Sequence, residues 1–192
     1  QVKEYLEEAS ILHFATHTLL NDSFPMYTSL VLQEGEENQE DGLLHAYEIY
    51  PKALKAQLAV LSACETGLWR KGEGMMSLAR AFKYAGCPNI LMSLWKADDQ
   101  ATSQIISQFF LHLKGGMKKD AALRQAKLDF LVQADRKQFP HYWATFVLVG
   151  DNKVVELNKF YGFRQNAVFW GILILTGIIV GIIIARQRDK VH

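Results

Sequence analysis

The hydrophobic pattern divides this chain into short apolar runs and longer segments of helical period. Residues 1–10 read as the end of a helix, and 11–16 as a brief apolar strand that stops at His17. Asn21, Asp22, Ser23 and Pro25 mark 19–25 as a loop. Residues 29–33 alternate weakly, which suits a strand at the margin of a sheet. Residues 44–50 offer a helical turn stopped at Pro51. Residues 52–57 then lead into 58–62, an apolar run predicted to be a buried strand that spills into Ala63, Cys64 and a glycine-containing turn. The next loop, 68–74, is rich in glycine and charge.

Helical spacing of Leu78, Ala79, Phe82 and Ala85 predicts a helix over 75–85, ended by Gly86 and followed by Pro88. A second buried strand is expected over 89–94. Asp98 or Asp99 caps a long helix whose stripe is Thr102, Ile105, Ile106, Phe109, Phe110 and Leu113. After the Gly115-Gly116 break, 119–134 form another helix with Leu123, Ala126, Phe130 and Ala134 on one face. An apolar strand over 144–149 closes the domain. Strands alternating with such helices predict an α/β fold with a mostly parallel sheet and helices on both faces. Sites in such sheets lie at the carboxyl ends of strands. His17 and Cys64 each follow such an end, so parallel neighbouring strands would bring both to one edge.

The last segment changes class. Residues 168–185 hold no charge, and as a helix they extend about 27 Å, enough to cross a bilayer core. Phe169 and Trp170 stand at one end and Arg186, Arg188 and Lys190 beyond the other. The expected organisation is a globular domain over 1–151, a linker over 152–167, a single transmembrane helix over 168–185 and a basic tail over 186–192. The Gly177/Gly181 pair hints weakly at helix pairing. The basic tail favours a cytoplasmic C-terminus, but Lys153, Lys159 and Arg164 weight the other flank nearly as much. A tail anchor holding the domain on the cytoplasmic side fits equally and is slightly favoured, with the side of the membrane left open.

Composition narrows the chemistry. With 21 basic and 20 acidic residues and no basic stripe, nucleic acid is not an expected partner. Two cysteines, Cys64 and Cys87, are too few for a disulfide framework and read as reduced thiols. The chain begins at Gln1, which suggests a C-terminal piece of a longer protein. The acidic run over 34–42 is read as a solvated hairpin loop, with a cation or substrate site as the minor reading.

A thiol attacks as thiolate, and an ordinary cysteine is only a few per cent ionised at neutral pH. A nearby imidazole helps by stabilising the thiolate or moving the proton to the leaving amine, and turn N–H groups stabilise the oxyanion. His13 and His17 are four apart, but Phe14 stands where a zincin glutamate would be, and the segment reads as strand, so no metal is expected. His13 and Cys87 read as structural. His17 precedes Cys64 by 47 residues, and the caspase histidine lies about 50 residues upstream of its cysteine.

Seven stretches together resemble one family. They are His13-Phe14-Ala15-Thr16-His17, Asp41-Gly42-Leu43-Leu44, Leu61-Ser62-Ala63-Cys64-Glu65-Thr66-Gly67, Gly72-Glu73-Gly74, Ala85-Gly86-Cys87, Ser93-Leu94-Trp95-Lys96-Ala97-Asp98-Asp99 and Tyr142-Trp143-Ala144-Thr145-Phe146. The chain resembles, over residues 9 to 151, the CHAT domain, a caspase-like module of the clan CD cysteine peptidases that often follows TPR repeats. The resemblance implies a three-layer α/β/α sandwich, His17 and Cys64 as a catalytic dyad, and hydrolysis of a peptide or protein substrate through an acyl-enzyme without metal or cofactor. It also implies a first strand upstream of Gln1, and activation by a partner or by upstream TPR repeats.

The family carries glycine directly after the dyad histidine, its N–H lining the oxyanion hole. This chain has Thr18, which keeps the N–H but restricts the backbone through its Cβ. The Ser-Leu-Trp…Asp stretch is similar to that of separases, where an aspartate helps form an acidic S1 pocket. By that likeness Asp98 and Asp99 would bind Arg or Lys at P1; helix capping is the plainer role. Trp95, Tyr142 and Trp143 read as core and sheet-edge packing. The expectation is a membrane-anchored cysteine endopeptidase, with a caspase-like interaction module lacking catalysis as the alternative.

Overall fold

The computed structural model describes residues 2–32, 41–62, 73–96, 98–133 and 138–156. In chain order the elements are α1 (Val2–Tyr5), β1 (Ile11–Phe14), β2 (Thr18–Leu19), a 3₁₀ turn (Pro25–Tyr27), β3 (Ser29–Val31), β4 (Leu43–His45), α2 (Ala46–Ile49), β5 (Leu58–Leu61), α3 (Glu73–Tyr84), β6 (Ile90–Ser93), α4 (Asp99–Lys114), α5 (Lys119–Gln133), α6 (Pro140–Trp143) and β7 (Phe146–Val149). All of them belong to one compact unit, Gln1–Val155.

The main sheet has the order β1-β5-β6-β7. β1, β5 and β6 run parallel, with Phe14 opposite Leu61 and Leu61 opposite Met92. β5 is central and every one of its residues is fully buried. A parallel strand covered on both faces must be apolar throughout, which is why residues 58–61 show no alternation. One face, through Leu12, Phe14, Ala59, Leu61, Ile90 and Met92, packs with Ile49 of α2 and Leu78 and Phe82 of α3. On the opposite face His13 meets the ring of Phe110 on α4, with centroids 5.4 Å apart. Helices therefore cover both faces of an α/β domain with a mixed, mostly parallel sheet.

The helices end where the sequence says they should. Asp98 caps α4, its carboxylate accepting from Ala101 N–H at 2.9 Å. Ile105, Ile106, Phe109 and Leu113 of α4 are buried, and Phe109 alone is worth about 1.5–3 kcal/mol of burial. Thr102 and Phe110, expected in the same stripe, are only half-buried at its margin. α3 closes in a Schellman motif: Cys87 N–H returns to the Phe82 carbonyl at 3.0 Å and Gly86 N–H to Lys83 at 3.2 Å. Gly86 takes φ +111°, and a Cβ there would lie 2.9 Å from the Leu54 carbonyl oxygen.

Three expectations change. The strand at 29–33 does not edge the main sheet. It is the middle strand of a separate antiparallel sheet, β2-β3-β4, with Thr18 opposite Leu30 and Leu30 opposite Leu44. β7 closes the main sheet but runs antiparallel to β6, because α6 and the turn before it return the chain at the carboxyl end of β6. α3 begins at Glu73, so the loop predicted over 68–74 loses its last two residues to the helix. The rest of that loop, most of the acidic run (34–40) and the apolar segment 168–185 lie outside the described residues. Among the described residues no helix is long and apolar enough to cross a membrane.

Candidate functional site

The parallel pairing of β1 with β5 delivers two chain segments to one edge of the sheet. Phe14 and Leu61 are register partners at the carboxyl ends of their strands. His17 lies three residues beyond the first, and Cys64 three residues beyond the second. Cys64 itself falls outside the described residues, whereas His17 is exposed in the turn between β1 and β2. That turn is clamped on Val31 of β3. Val31 N–H donates to the His17 carbonyl at 2.8 Å, and the Thr16 hydroxyl donates to the Val31 carbonyl.

The clamp also orients the next residue. With His17 bonded to Val31, Thr18 turns its own backbone N–H and C=O to the side of β2 away from β3. Its side chain is buried. The backbone there is extended, a conformation in which a β-branched residue is at home.

The start of the second segment is tied back as well. Ser62 N–H donates to the Phe14 carbonyl at 3.1 Å, and the Ser62 hydroxyl donates to the same carbonyl at 3.3 Å. His13 Nε2 lies 3.0 Å from that hydroxyl. Burial lowers the pKa of His13 from its usual 6.5, favouring the neutral ring. The structural reading of His13 thus acquires a partner that the sequence did not reveal: a histidine–serine contact across two strands leaves no local pattern, and only the nearness of Ser62 to Cys64 pointed to that stretch.

β6 exits at the same edge, one strand further on. Ser93 ends it, and the chain passes through Trp95 to Asp98 and Asp99 at the start of α4. Strands in a sheet are about 4.8 Å apart, so β6 lies about 10 Å from β1. Asp98 is half-buried and caps α4, while Asp99 is exposed in the first turn. Trp95 and Thr145 fasten this exit: Trp95 Nε1 donates to the His141 carbonyl and Thr145 Oγ1 to the Trp95 carbonyl, each at 3.0 Å. Trp143 Nε1 similarly donates to Gln138 at 3.0 Å. These tryptophans hold loops at the sheet edge.

Other chemistry lies elsewhere. Cys87 is fully buried, its thiol donates to the Asn89 carbonyl at 3.4 Å, and burial raises its pKa above the usual 9.0. An un-ionised buried thiol is inert, as expected for a structural cysteine. Among the described residues no three His, Cys, Asp or Glu side chains cluster as metal ligands. A cavity of about 480 Å³ opens between α5 and β7, lined by Lys127, Trp143, Leu148 and Gly150 among others. β7 is the edge strand of the main sheet, so that cavity runs along the margin three strands from β1.

An α/β sheet whose parallel strands present a histidine turn, a cysteine-bearing segment and a paired-aspartate helix start at one carboxyl edge has the layout of a caspase-like domain. The chain belongs to the CHAT domain family, whose match covers residues 1–151. It is also similar to tetratricopeptide repeat protein 28 of Homo sapiens, 35% identical over 119 residues, and of Mus musculus, 32% identical over 119 residues. Each alignment covers 61% of this chain, and the chain spans about 5% of the length of these curated relatives. Their names are those of TPR proteins, in keeping with the linkage of CHAT domains to TPR repeats.

Proposed function

We propose that this chain is a membrane-anchored cysteine endopeptidase in which Cys64 is the nucleophile and His17 its acid–base partner. The observation that supports the reading is the register of β1 on β5, Phe14 opposite Leu61, with His17 three residues beyond the first in sequence and Cys64 three residues beyond the second. The Cys64 thiolate attacks the peptide carbonyl carbon and forms a C–S bond. His17 gives a proton to the amine as the C–N bond breaks, and water then releases the acyl group with His17 taking the proton back. Thr18, the residue after the histidine, holds the position whose N–H the family resemblance assigns to the oxyanion hole. Asp98 and Asp99, beside the same edge, bind Arg or Lys at P1. Residues 168–185 hold the domain on the cytoplasmic side of a membrane, and upstream TPR repeats or a partner switch it on.

Labelling by a peptide electrophile with Arg at P1 tests the dyad. Wild type should be labelled, Cys64→Ala not at all, and His17→Ala much more slowly. Unchanged labelling of Cys64→Ala removes the nucleophile assignment. For the anchor, the full chain should float with liposomes and a chain lacking 168–185 should not.

One observation favours a second reading, a caspase-like interaction module without catalysis: Thr18 stands where the family carries glycine. The extended strand around Thr18 weighs against it, because that backbone does not need glycine. Restoring glycine decides between them. Thr18→Gly should leave the labelling rate within about threefold if the N–H already points correctly, and should switch labelling on if Thr18 has silenced the site.

A further inference from the structure

We propose that the cavity between α5 and β7 binds a small organic carboxylate, its charge held by Arg124 and Lys127 and its apolar body against Trp143 and the leucines beside it. The cavity holds about 480 Å³, and small-molecule sites run from roughly 300 to 1,000 Å³. Leu123, Leu131, Trp143 and Leu148 give it apolar walls. Sites of this kind combine such walls with a few polar groups that fix the ligand's orientation.

Two cations supply them. Lys127 is half-buried, and its ammonium donates to the Phe146 carbonyl at 2.8 Å. That bond uses one hydrogen and leaves the charge uncompensated. Burial alone lowers the pKa of Lys127, with no carboxylate near enough to oppose it. Arg124 stands one turn earlier on α5 and lines the same cavity. It is exposed and, among the described residues, makes no hydrogen bond or ion pair. Side chains three positions apart on a helix are neighbours, so these two like charges repel. An anion held by both replaces that repulsion with two attractions.

The carboxylates at the cavity are already engaged. Asp120 accepts from Asn152 Nδ2 and from Ala121 N–H, each at 2.6 Å. Asp151 accepts from the Lys119 ammonium at 2.9 Å and from Lys153 N–H at 3.0 Å. Lys119, Arg124 and Lys127 together outnumber Asp120 and Asp151, so the charge this site lacks is an anion. A neutral ligand leaves both free cations unanswered, and a cationic one is repelled. A partner strand added to β7 fits no better. Leu94 N–H donates to the Thr145 carbonyl, so Thr145 faces β6 and Phe146 faces away, and Lys127 already occupies the outward Phe146 carbonyl. The walls are set before binding: Trp143 Nε1 is tied to the Gln138 carbonyl, and the Lys119–Asp151 and Asp120–Asn152 bonds join the turn after β7 to the start of α5. A site formed in advance spends little entropy on its ligand. The inference stands whether or not Cys64 cuts.

Isothermal titration calorimetry of the full chain tests it, with 2-naphthylacetate and with 2-naphthylacetamide, close in shape but uncharged. The acid should bind about tenfold more tightly than the amide, and Lys127→Met and Arg124→Gln should each weaken the acid by about fivefold to tenfold while leaving the amide unchanged. Arg124 is exposed on α5, so Arg124→Gln keeps the test decisive if Lys127→Met fails to fold. Lys55→Gln, outside the cavity, should bind like the parent. Bound naphthylacetate should also slow reductive methylation of Lys127, read by peptide mass spectrometry, without slowing that of Lys55. Equal binding of acid and amide, no binding of the acid, or undiminished acid binding by the folded variants overturns the proposal.

Discussion

His13 Nε2 lies 3.0 Å from the hydroxyl oxygen of Ser62, across the junction of β1 and β5. That hydroxyl also lies 3.3 Å from the Phe14 carbonyl oxygen, and the tautomer of His13 sets which of ring and hydroxyl donates between them. The two contacts link the ring, the hydroxyl and the carbonyl in series. They fasten the end of β1 to the residue that follows β5, two positions before Cys64. The contact therefore buckles the end of β1 to the start of the segment that leads to Cys64.

The neutral ring gives His13 a pH signature. Its folded pKa lies below 6.5, so between that value and 6.5 the unfolded chain binds more protons than the folded one. Its contribution to stability is full above pH 6.5 and lost as pH falls toward the folded pKa. Urea denaturation of wild type and His13→Gln at pH 8, 6.5 and 5 should show the variant's deficit shrinking as pH falls. A deficit that grows on acidification would mean that His13 is charged in the fold.

Gly86 is a turn residue with little room. At φ +111° any other L-residue is strained, and its Cβ would press on the Leu54 carbonyl oxygen, which sits beside the Leu54 N–H to Ala85 bond of 2.7 Å. Gly86→Ala should lower stability by about 1–3 kcal/mol, measured by chemical denaturation. Gly116 makes the control for space. It too has positive φ, 83°, but no atom lies within 4 Å of the place a Cβ would take, so Gly116→Ala should cost less.

Such local features were legible because they depend on neighbours in sequence. The Gly86-Cys87-Pro88 stop, the Asp98 cap and the uninterrupted apolar run of β5 each follow from residues within a few positions. The small sheet was not legible: β2 is two residues long and its partner Leu30 is far along the chain, so no alternation could develop. Nor was the direction of β7, since a parallel and an antiparallel edge strand carry the same apolar pattern. At the candidate site, the parallel pairing of the strands that precede His17 and Cys64 was readable as a possibility from βα order alone. The His13–Ser62 bond and the Val31 clamp on His17 were not, because each joins residues through the fold of the sheet.

The chain after β7 is held by one buried amine. Lys119, at the start of α5, is 2% exposed, and its ammonium lies 2.9 Å from Asp151 Oδ1 and also donates to the Lys153 carbonyl. The Lys119 ammonium, aided by the Lys153 N–H, holds the Asp151 carboxyl at about 2 against an ordinary 3.8. Its contribution to stability is complete above pH 3.8 and disappears as pH falls toward 2. Asp151→Asn should destabilise the fold at pH 7 and flatten its acid unfolding curve between pH 4 and 2. Because that change strands a buried cation, the double variant Lys119→Met/Asp151→Asn should be more stable than Asp151→Asn alone. The opposite ranking would show that the lysine is satisfied without the carboxylate.

Asp98 can act in two ways, and one substitution separates them. As a cap it needs only an oxygen that accepts from Ala101 N–H; as part of an S1 pocket it needs a negative charge. Asparagine keeps the first and removes the second, whereas alanine removes both. Asp98→Ala should cost about 1 kcal/mol of stability and Asp98→Asn much less. If the carboxylate binds a P1 arginine, both variants should lose about tenfold or more in kcat/KM on arginine substrates, with Asp99→Asn, exposed one residue on, showing a smaller loss. A loss in Asp98→Ala that Asp98→Asn fully restores would leave Asp98 as a helix cap and remove it from substrate binding.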